Sequence, residues 1–145
     1  MKDKYLLDES LGYKLFQASR LMTNTLNRHF REQGFSLTHE QWQILSRLYE
    51  KDGQTQHELA LLNEKDQPSV SRLIDNMIKR RLIDRKSHPT DKRINLIYLT
   101  SHSKRMEKEY ITLALQTIQE AGYEVDEKEL AICLKVLDKI RANLK

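Results

Sequence analysis

The fold is decided by Asp66-Gln67-Pro68-Ser69-Val70-Ser71-Arg72, which opens the second of two short helical patterns. Two strand-like runs follow, and they flank the charged tip His88-Pro89-Thr90-Asp91-Lys92-Arg93. This order predicts a winged helix-turn-helix. A short polar helix start is suited to a DNA major groove, and a hairpin tip brings Arg93 to the same duplex, so two kinds of DNA contact are expected.

The basic surplus of the chain lies in this same stretch. The formal net charge is +4, and residues 66–93 contain eight Lys or Arg residues against four Asp or Glu residues. The remaining chain holds 17 basic and 17 acidic residues, so it has no surplus. A solvated face would spread the excess evenly. Its concentration here favours neutralisation of backbone phosphates.

Helical periodicity and capping signals divide the chain into six helices around a hairpin. Thr38, Thr55, Asp66, Thr100 and Asp126 stand where helices are expected to begin. The first helix keeps apolar spacing from Leu11 to Phe30 and ends near Gly34; the hairpin strands are Leu82 to Lys86 and Ile94 to Leu99. In the third helix, Leu59 and Leu62 are expected to face inward. In the fourth, the buried stripe is Val70, Leu73, Ile74, Met77 and Ile78, which leaves Gln67, Ser69, Ser71, Arg72 and Asn76 facing outward.

The predicted fold is therefore mainly α with a small β-hairpin wing, in one compact domain. Residues 37–100 form the winged helix-turn-helix, and residues 1–36 and 101–145 form a helical dimerisation region. The flanking helices have generous apolar faces that a winged helix of about 65 residues does not need for its own core. A second copy of the chain is the simplest partner, so we expect a homodimer.

Other classes of protein receive no support from the sequence. The start Met1-Lys2-Asp3-Lys4 leads to no apolar secretory core, and no apolar run exceeds five residues. We therefore expect a cytoplasmic protein without a membrane partner. The single cysteine, Cys133, excludes an intrachain disulfide and CxxC motifs. With no glycine-rich phosphate loop and no GxSxG elbow, neither an enzyme nor a cofactor is indicated.

Several short motifs also occur together in a known family. They are Glu58-Leu59-Ala60, Pro68-Ser69-Val70-Ser71-Arg72-Leu73-Ile74-Asp75, Lys79-Arg80 with Leu82-Ile83, Asp91-x-Arg93 and Leu99-Thr100. On these motifs the chain resembles the MarR (multiple-antibiotic-resistance) family of bacterial transcriptional regulators over nearly its whole length. The resemblance implies that Ser69, Ser71 and Arg72 contact the major groove, that Arg93 enters the minor groove, and that Asp91 shapes the wing.

The full set of expected DNA contacts combines these residues with their polar and basic neighbours. It is Thr55, Gln67, Ser69, Ser71, Arg72, Asn76, Lys86, Lys92 and Arg93. One tripeptide and two single residues depart from the family pattern. Asn63-Glu64-Lys65 stands where a small residue is common, and Arg81 and Ser103 each replace a usual glycine. Arg81 must accept a left-handed conformation or end its helix differently.

The resemblance also implies a small effector bound between the dimer helices and the winged helix. Candidate residues for an aromatic or anionic ligand are Tyr13, Phe16, Arg20, His39 and Trp42. Aromatic residues at helical spacing are more often core, and Arg20 could simply pair with a carboxylate. A repressor relieved by such a ligand is the leading interpretation.

Two alternatives remain open from the sequence. A metal-responsive regulator of the same fold is suggested by five histidines, but His39 and Glu40 point about 100° apart on a helix, and no HxxxH spacing completes a site. We therefore expect no specific metal. The other alternative is a helical protein-interaction module that does not bind DNA. Cys133, within an apolar run, is interpreted as a small buried hydrophobe rather than a redox sensor.

Overall fold

The structure, a computed structural model, describes residues 4–145. In that range the chain is mainly helical with one small antiparallel sheet, as predicted. The helices are α1 (Leu11–Glu32), α2 (His39–Glu50), α3 (Gln56–Leu62), α4 (Gln67–Lys79), α5 (Ser101–Ala121) and α6 (Glu127–Leu144), with a short 3-10 helix at Leu7–Glu9. The strands are β1 (Gln54–Thr55), β2 (Ile83–Ser87) and β3 (Asn95–Leu99), in the order β1-β3-β2.

Side-chain caps start four of the helices where the sequence predicted them. Before α2, the Gln41 backbone N–H donates to Thr38 Oγ1 at 3.3 Å, and the Thr38 N–H donates to Gln41 Oε1 at 3.2 Å, which completes a capping box. Thr55, Asp66 and Thr100 accept in the same way from the N–H three residues later. Each cap satisfies a backbone donor that the first turn leaves unpaired.

The wing is the predicted hairpin, extended by a strand that the sequence did not reveal. Strands β2 and β3 pair from Ile83 opposite Leu99 to Ser87 opposite Asn95. The bounds differ from the prediction by one residue in β2 and at the start of β3. The additional strand β1 pairs with β3 through two residues only, which is too short for an alternating pattern. It joins the start of α3 to the wing.

The core lies within the winged helix and is continued by α1 and α5. Its largest fully buried apolar side chains come from helices α1 to α4 and from strands β2 and β3. They include Phe30, Ile44, Leu45, Leu48, Leu59, Ile74, Met77, Ile83 and Ile97. A group of aromatic rings extends the core towards α5, where Tyr110 packs edge-on against Phe30 and Phe35 with ring centroids 5.9 and 5.2 Å apart.

The prediction that Leu62 faces inward is wrong. Leu59 and Ala60 are buried, whereas Leu62 is 46% exposed. Successive residues of a helix are rotated by about 100°, so Leu62 lies roughly 110° from the midpoint of the Leu59 and Ala60 directions. The buried face of this short helix is therefore centred on Leu59 and Ala60, and Leu62 is at its edge.

Two helices of the winged helix end with a residue other than glycine in the left-handed region. After α4, Arg81 has a φ of 60°; its N–H donates to Ile78 O at 2.9 Å, and the Leu82 N–H donates to Met77 O at 3.0 Å. Glu64 closes α3 in the same way, with a φ of 52°. Both ends are Schellman motifs, which favour glycine at this position. Arg81 therefore accepts the strain that the sequence indicated.

The expected burial of Cys133 is not found in the single chain, because α6 leaves its apolar side chains uncovered. Cys133 is exposed, and α6 contains no buried residue. Exposed apolar side chains also lie along α1 and α5. Together they are Leu11, Phe16, Leu21 and Met22 on α1, Leu115 and Ile118 on α5, and Leu130, Ile132, Leu134, Val136 and Leu144 on α6. None of the helices described over residues 4–145 is long and apolar enough to cross a membrane.

Candidate nucleic-acid interface

The start of α4 presents a row of polar side chains built on its capping residue. The Ser69 N–H donates to Asp66 Oδ1 at 2.8 Å, and the Ser69 hydroxyl donates to Asp66 Oδ2 at 2.9 Å. These two bonds, the backbone one foremost, lower the pKa of the Asp66 carboxyl. Arg72 Nη2 lies 3.4 Å from Ser69 Oγ. Since its own proton is engaged, Ser69 is arranged to accept from Arg72 or from a base.

The predicted outward face of α4 is present. Gln67, Arg72 and Asn76 are exposed, and Ser69 and Ser71 are half-buried. Gln67 Nε2 lies 2.8 Å from Nδ1 of His57, an α3 residue outside the predicted contact set. This bond joins the two helices of the helix-turn-helix at the position where α4 begins. The five side chains predicted to face outward are therefore accessible, in full or in part, around the exposed sides of α4.

The wing tip holds Arg93 by both oxygens of Asp91. Nε and Nη2 of Arg93 donate to Asp91 Oδ1 and Oδ2, each at 3.1 Å, and the Arg93 N–H donates to Oδ1 at 3.0 Å. The arginine side chain is nevertheless 90% exposed. Hydrogen bonding from the Arg93 side chain is the main reason why the pKa of Asp91 is lowered. Arg93 is thus a pre-oriented cation that still faces solvent.

His88 and Ile94 close the turn beneath this ion pair. His88 Nδ1 accepts from the N–H groups of Thr90 and Asp91 at 3.2 and 3.3 Å. The His88 N–H donates to Ile94 O at 2.9 Å, and the Ile94 N–H donates to Asp91 O at 3.0 Å. The tip is therefore shaped by its own residues.

The other predicted DNA contacts lie at the start of α3 and on the wing. The Lys86 ammonium is 5.0 Å from the centroid of the Tyr98 ring, a cation–π arrangement that steers an exposed charge. Lys92 is exposed at the tip. The hydroxyl of half-buried Thr55 accepts from the Glu58 N–H at 3.0 Å, which caps α3.

An ion pair between the wing and α4 was missed by the sequence analysis. Arg85 Nη2 on β2 lies 2.6 Å from Asp75 Oδ1 on α4, and 3.4 Å from Gln56 Oε1 on α3. The two charges are ten residues apart in different elements, so no local spacing rule marked them. Their contact fixes the wing against the helix that starts the interface.

The five predicted effector residues do not share one cavity within the chain. Trp42 lines a cavity of about 330 Å³ together with α2, α3 and α6 residues. On α1, Tyr13 is half-buried, whereas Phe16 and Arg20 are exposed. The His39 N–H donates to Asn27 Oδ1 at 2.8 Å, and its buried Nδ1 has no partner within residues 4–145. The effector assignment stays a prediction.

Another cavity, of about 420 Å³, lies between the winged helix and the flanking helices. It is lined by Gly34, Phe35, Ser36, Leu37, Arg80, Leu82, His102 and Tyr110, which include no acidic residue. Arg80 Nη1 donates to Ser36 O at 2.9 Å, so the end of α4 is joined to the loop before α2. Aromatic walls and a cation are a combination suited to a small aromatic anion.

Over residues 4–145, no three His, Cys, Asp or Glu side chains are grouped as a metal site would require. His29 belongs instead to a pair between α1 and α5, where its Nε2 lies 3.0 Å from Glu120 Oε2. Hydrogen bonding from His29 lowers the pKa of Glu120.

Sequence comparison finds that this region is similar to a known protein family. A model of the MarR family matches residues 34–94, which include the helix-turn-helix and most of the wing. The chain is also 23% identical over 131 residues to the HTH-type transcriptional regulator MhqR of Bacillus subtilis. That alignment covers 90% of this chain and 89% of MhqR.

Structural comparison extends the similarity to the flanking helices. A structure on the regulation of DNA binding of Bordetella bronchiseptica BpsR by 6-hydroxynicotinic acid matches with a TM-score of 0.86 and 21% identity, covering 95% of this chain and 97% of that one. A mutant MarR from E. coli complexed with operator DNA matches with a TM-score of 0.84 and 21% identity, covering 94% and 99%. At this identity the likeness shows the shared fold.

Proposed function

Because this chain belongs to the MarR family of transcriptional regulators, we propose that it works as a homodimeric repressor that binds a pseudo-palindromic operator and is released by a small ligand. It is a regulator and not an enzyme. Since its target is DNA, we place its action in the cytoplasm.

DNA binding follows most directly from the wing tip. Asp91 orients Arg93 without burying it, so little side-chain entropy remains to be lost when the guanidinium enters a groove. A narrow A/T minor groove concentrates negative potential around such an arginine. The basic surplus of residues 66–93 supplies the accompanying attraction to phosphates.

Base reading is proposed for α4. Arg72 is exposed and long enough to bind guanine O6 and N7, while Ser69 orients it from the preceding turn. Gln67, Ser71 and Asn76, which are exposed or half-buried around α4, are proposed to contribute further contacts. Phosphate contacts are proposed for Thr55, which caps α3, and for Lys86 and Lys92 on the wing.

The dimer is proposed to form through residues 1–36 and 101–145, leaving residues 37–100 as the DNA-binding region. The first three residues lie outside the part that the structure describes. The uncovered apolar side chains of α1, α5 and α6 support this assignment, because a second copy of those helices would remove them from water.

Operator binding tests the proposal as a whole. The dimer is expected to select half-sites about 10 bp apart from random DNA, since its two α4 helices must enter successive major grooves on one face. If the dimer neutralises about eight phosphates, log affinity falls with log salt with a slope near −7. A salt-independent interaction, or a monomer bound to a single half-site, contradicts the proposal.

The effector is proposed to be a small aromatic carboxylate. The cavity around Arg80 and Tyr110 supports this class, since it combines a cation and His102 with aromatic walls and has no acidic lining residue. The compound named with BpsR, 6-hydroxynicotinic acid, is of this class and is a suitable first probe. The α1 and α2 candidates with Arg20 remain the second location.

Ligand release is proposed to act through Arg80. A carboxylate that binds the Arg80 guanidinium competes with Ser36 O for its hydrogen bond. The bond that joins the end of α4 to the loop before α2 is then lost. A coupling of about 1–3 kcal/mol corresponds to a roughly 5- to 150-fold change in operator affinity, with the same factor acting on the ligand. Operator titrations with and without ligand are compared in wild type, Arg80→Ala and Arg20→Ala. If only Arg20→Ala abolishes the response, the second location is correct.

A further inference from the structure

The turn between α3 and α4 is held by residues that depart from the family pattern. Asn63 Nδ2 donates to Leu59 O at 2.9 Å, and Lys65 Nζ donates to Glu40 Oε2 on α2 at 3.0 Å. Arg47, also on α2, donates to Leu62 O at 3.0 Å. Asn63 and Lys65 thus bond this turn to α3 and α2.

Glu64, the middle residue of this turn, joins it to the last helix. Its Oε1 accepts from Arg141 Nη2 at 2.5 Å and from Lys145 Nζ at 2.7 Å. Hydrogen bonds from Lys145 and Arg141 lower the pKa of the Glu64 carboxyl. Over residues 4–145, the ion pairs that connect α6 with the winged helix both end on this carboxylate.

Glu64 is also close in sequence to the interface. It stands two residues before Asp66, which caps α4, and its left-handed backbone turns the chain between the two helices. A displacement of the Glu64 side chain is therefore expected to move the backbone of Lys65 and, with it, the capped first turn of α4. That turn carries Gln67 and Ser69, two of the proposed DNA contacts.

We propose that Glu64 is a positioning residue, which couples the end of the dimerisation helix α6 to the start of α4 through Arg141 and Lys145. This inference rests on the proposed DNA-binding function of α4. In the coupled arrangement, the relative placement of α6 and the winged helix sets the entry of α4 into the major groove. Breaking the coupling lowers operator affinity although no DNA contact is removed.

If Glu64 has no coupling role, general electrostatics predicts a change of operator affinity in the opposite direction. Removing an acidic side chain from a DNA-binding protein reduces repulsion from phosphates, so Glu64→Gln should strengthen binding if Glu64 is only a surface charge. Coupling predicts a loss of operator affinity of about two- to five-fold, the range expected when an exposed ion pair is removed. The direction of the change therefore separates the two interpretations.

The experiment measures operator affinity of the full-length protein by fluorescence anisotropy over a salt series. Glu64→Gln is compared with Glu32→Gln, which removes the same charge from an ion pair with Arg28 on α1. We expect weaker binding for Glu64→Gln with an unchanged salt slope, and unchanged or slightly stronger binding for Glu32→Gln. Equal or tighter binding by Glu64→Gln overturns the inference.

A double-mutant cycle excludes a general loss of structure. Arg141→Met with Lys145→Met should weaken binding in the wild-type background and have little further effect in Glu64→Gln, because the pairs are already absent. Additive losses in the combined protein overturn the coupling. Arg72→Ala serves as the functional reference. If the wild type and Arg72→Ala bind operator and random DNA alike, the proposed function itself has failed, whatever Glu64 does.

Discussion

The Arg85 guanidinium lies 2.6 Å from the Asp75 carboxylate, so an ion pair joins the wing to α4. These two elements provide the proposed minor-groove and major-groove contacts. Arg85 also lies 3.4 Å from Gln56 Oε1, so α3 belongs to the same connection. The distance between the two proposed contact sites is thereby held by side chains that need not contact DNA.

Asp75→Asn should weaken operator binding because the wing is no longer fixed against α4. The pair is partly exposed, so the expected loss is up to about 1 kcal/mol, or roughly five-fold in Kd. Anisotropy titrations at one salt concentration measure the effect. Asp84→Asn is the matched control on β2, since it removes the same charge from a residue with no ion pair in the described chain. Identical shifts in both variants would contradict the bracing role.

Arg72→Ala and Lys86→Ala should separate base reading from phosphate binding. Loss of Arg72 is expected to cost about 1–3 kcal/mol for each base contact on the operator and less on random DNA, because a bidentate base contact is specific. Loss of Lys86 should weaken both DNAs alike and reduce the salt slope by about two, because the substitution removes one phosphate contact from each protomer of the dimer. Competition titrations with both DNAs measure these effects. Equal losses of Arg72→Ala on operator and random DNA would refute the base contact.

The His29–Glu120 pair should make the association of α1 with α5 sensitive to acid. The folded-state pKa of Glu120 lies below its ordinary value of 4.5, so the pair stabilises the fold above that pH. The contribution is lost as the pH falls through the folded pKa. In urea unfolding at fixed protein concentration, Glu120→Gln should be less stable than wild type at pH 7, and the difference should shrink below pH 4.5. Glu129→Gln, which changes an α6 residue without an ion pair in the described chain, should show no such convergence.

Arg81→Gly should stabilise the protein despite the loss of a side chain. Glycine removes the Cβ strain at a φ of 60°, and the greater freedom of the unfolded chain offsets part of this gain. We expect a net increase of about 0.5–1 kcal/mol in the free energy of unfolding. Lys79→Gly, within the last turn of α4, should instead lose about 1 kcal/mol. A destabilised Arg81→Gly would show that the arginine side chain outweighs the strain.

Local signals explain why most of the fold could be predicted. Thr38, Asp66 and Thr100 act on N–H groups three residues away, and the wing strands are adjacent in sequence. Strand β1 was missed because its pairing with β3 spans about 40 residues and involves only two positions. Leu62 was misplaced because the third helix is too short for two apolar positions to define its buried face.

The site was less predictable than the fold for a related reason. The exposed row on α4 follows from helical spacing, and the Asp91–Arg93 contact joins residues two positions apart. Arg85 with Asp75, and Glu64 with Arg141, are charge pairs between separate elements, and only the packed structure selects them from many possible pairs. The burial of Cys133 was predicted from the apolar run around it, but within residues 4–145 Cys133 is exposed and α6 has no buried residue.

The hydrogen bonds that shape the wing tip are made within the tip itself, and this has an evolutionary consequence. The bonds that orient Arg93 join residues of one short segment, from His88 to Ile94, and none of them draws on the protein core. Such a segment can be replaced as a unit without changing the bonds of the rest of the fold. Descendants of this chain could exchange it for another loop, and so acquire a new preference for the DNA that flanks the proposed operator, while the helices proposed to read the half-site keep their inherited sequence.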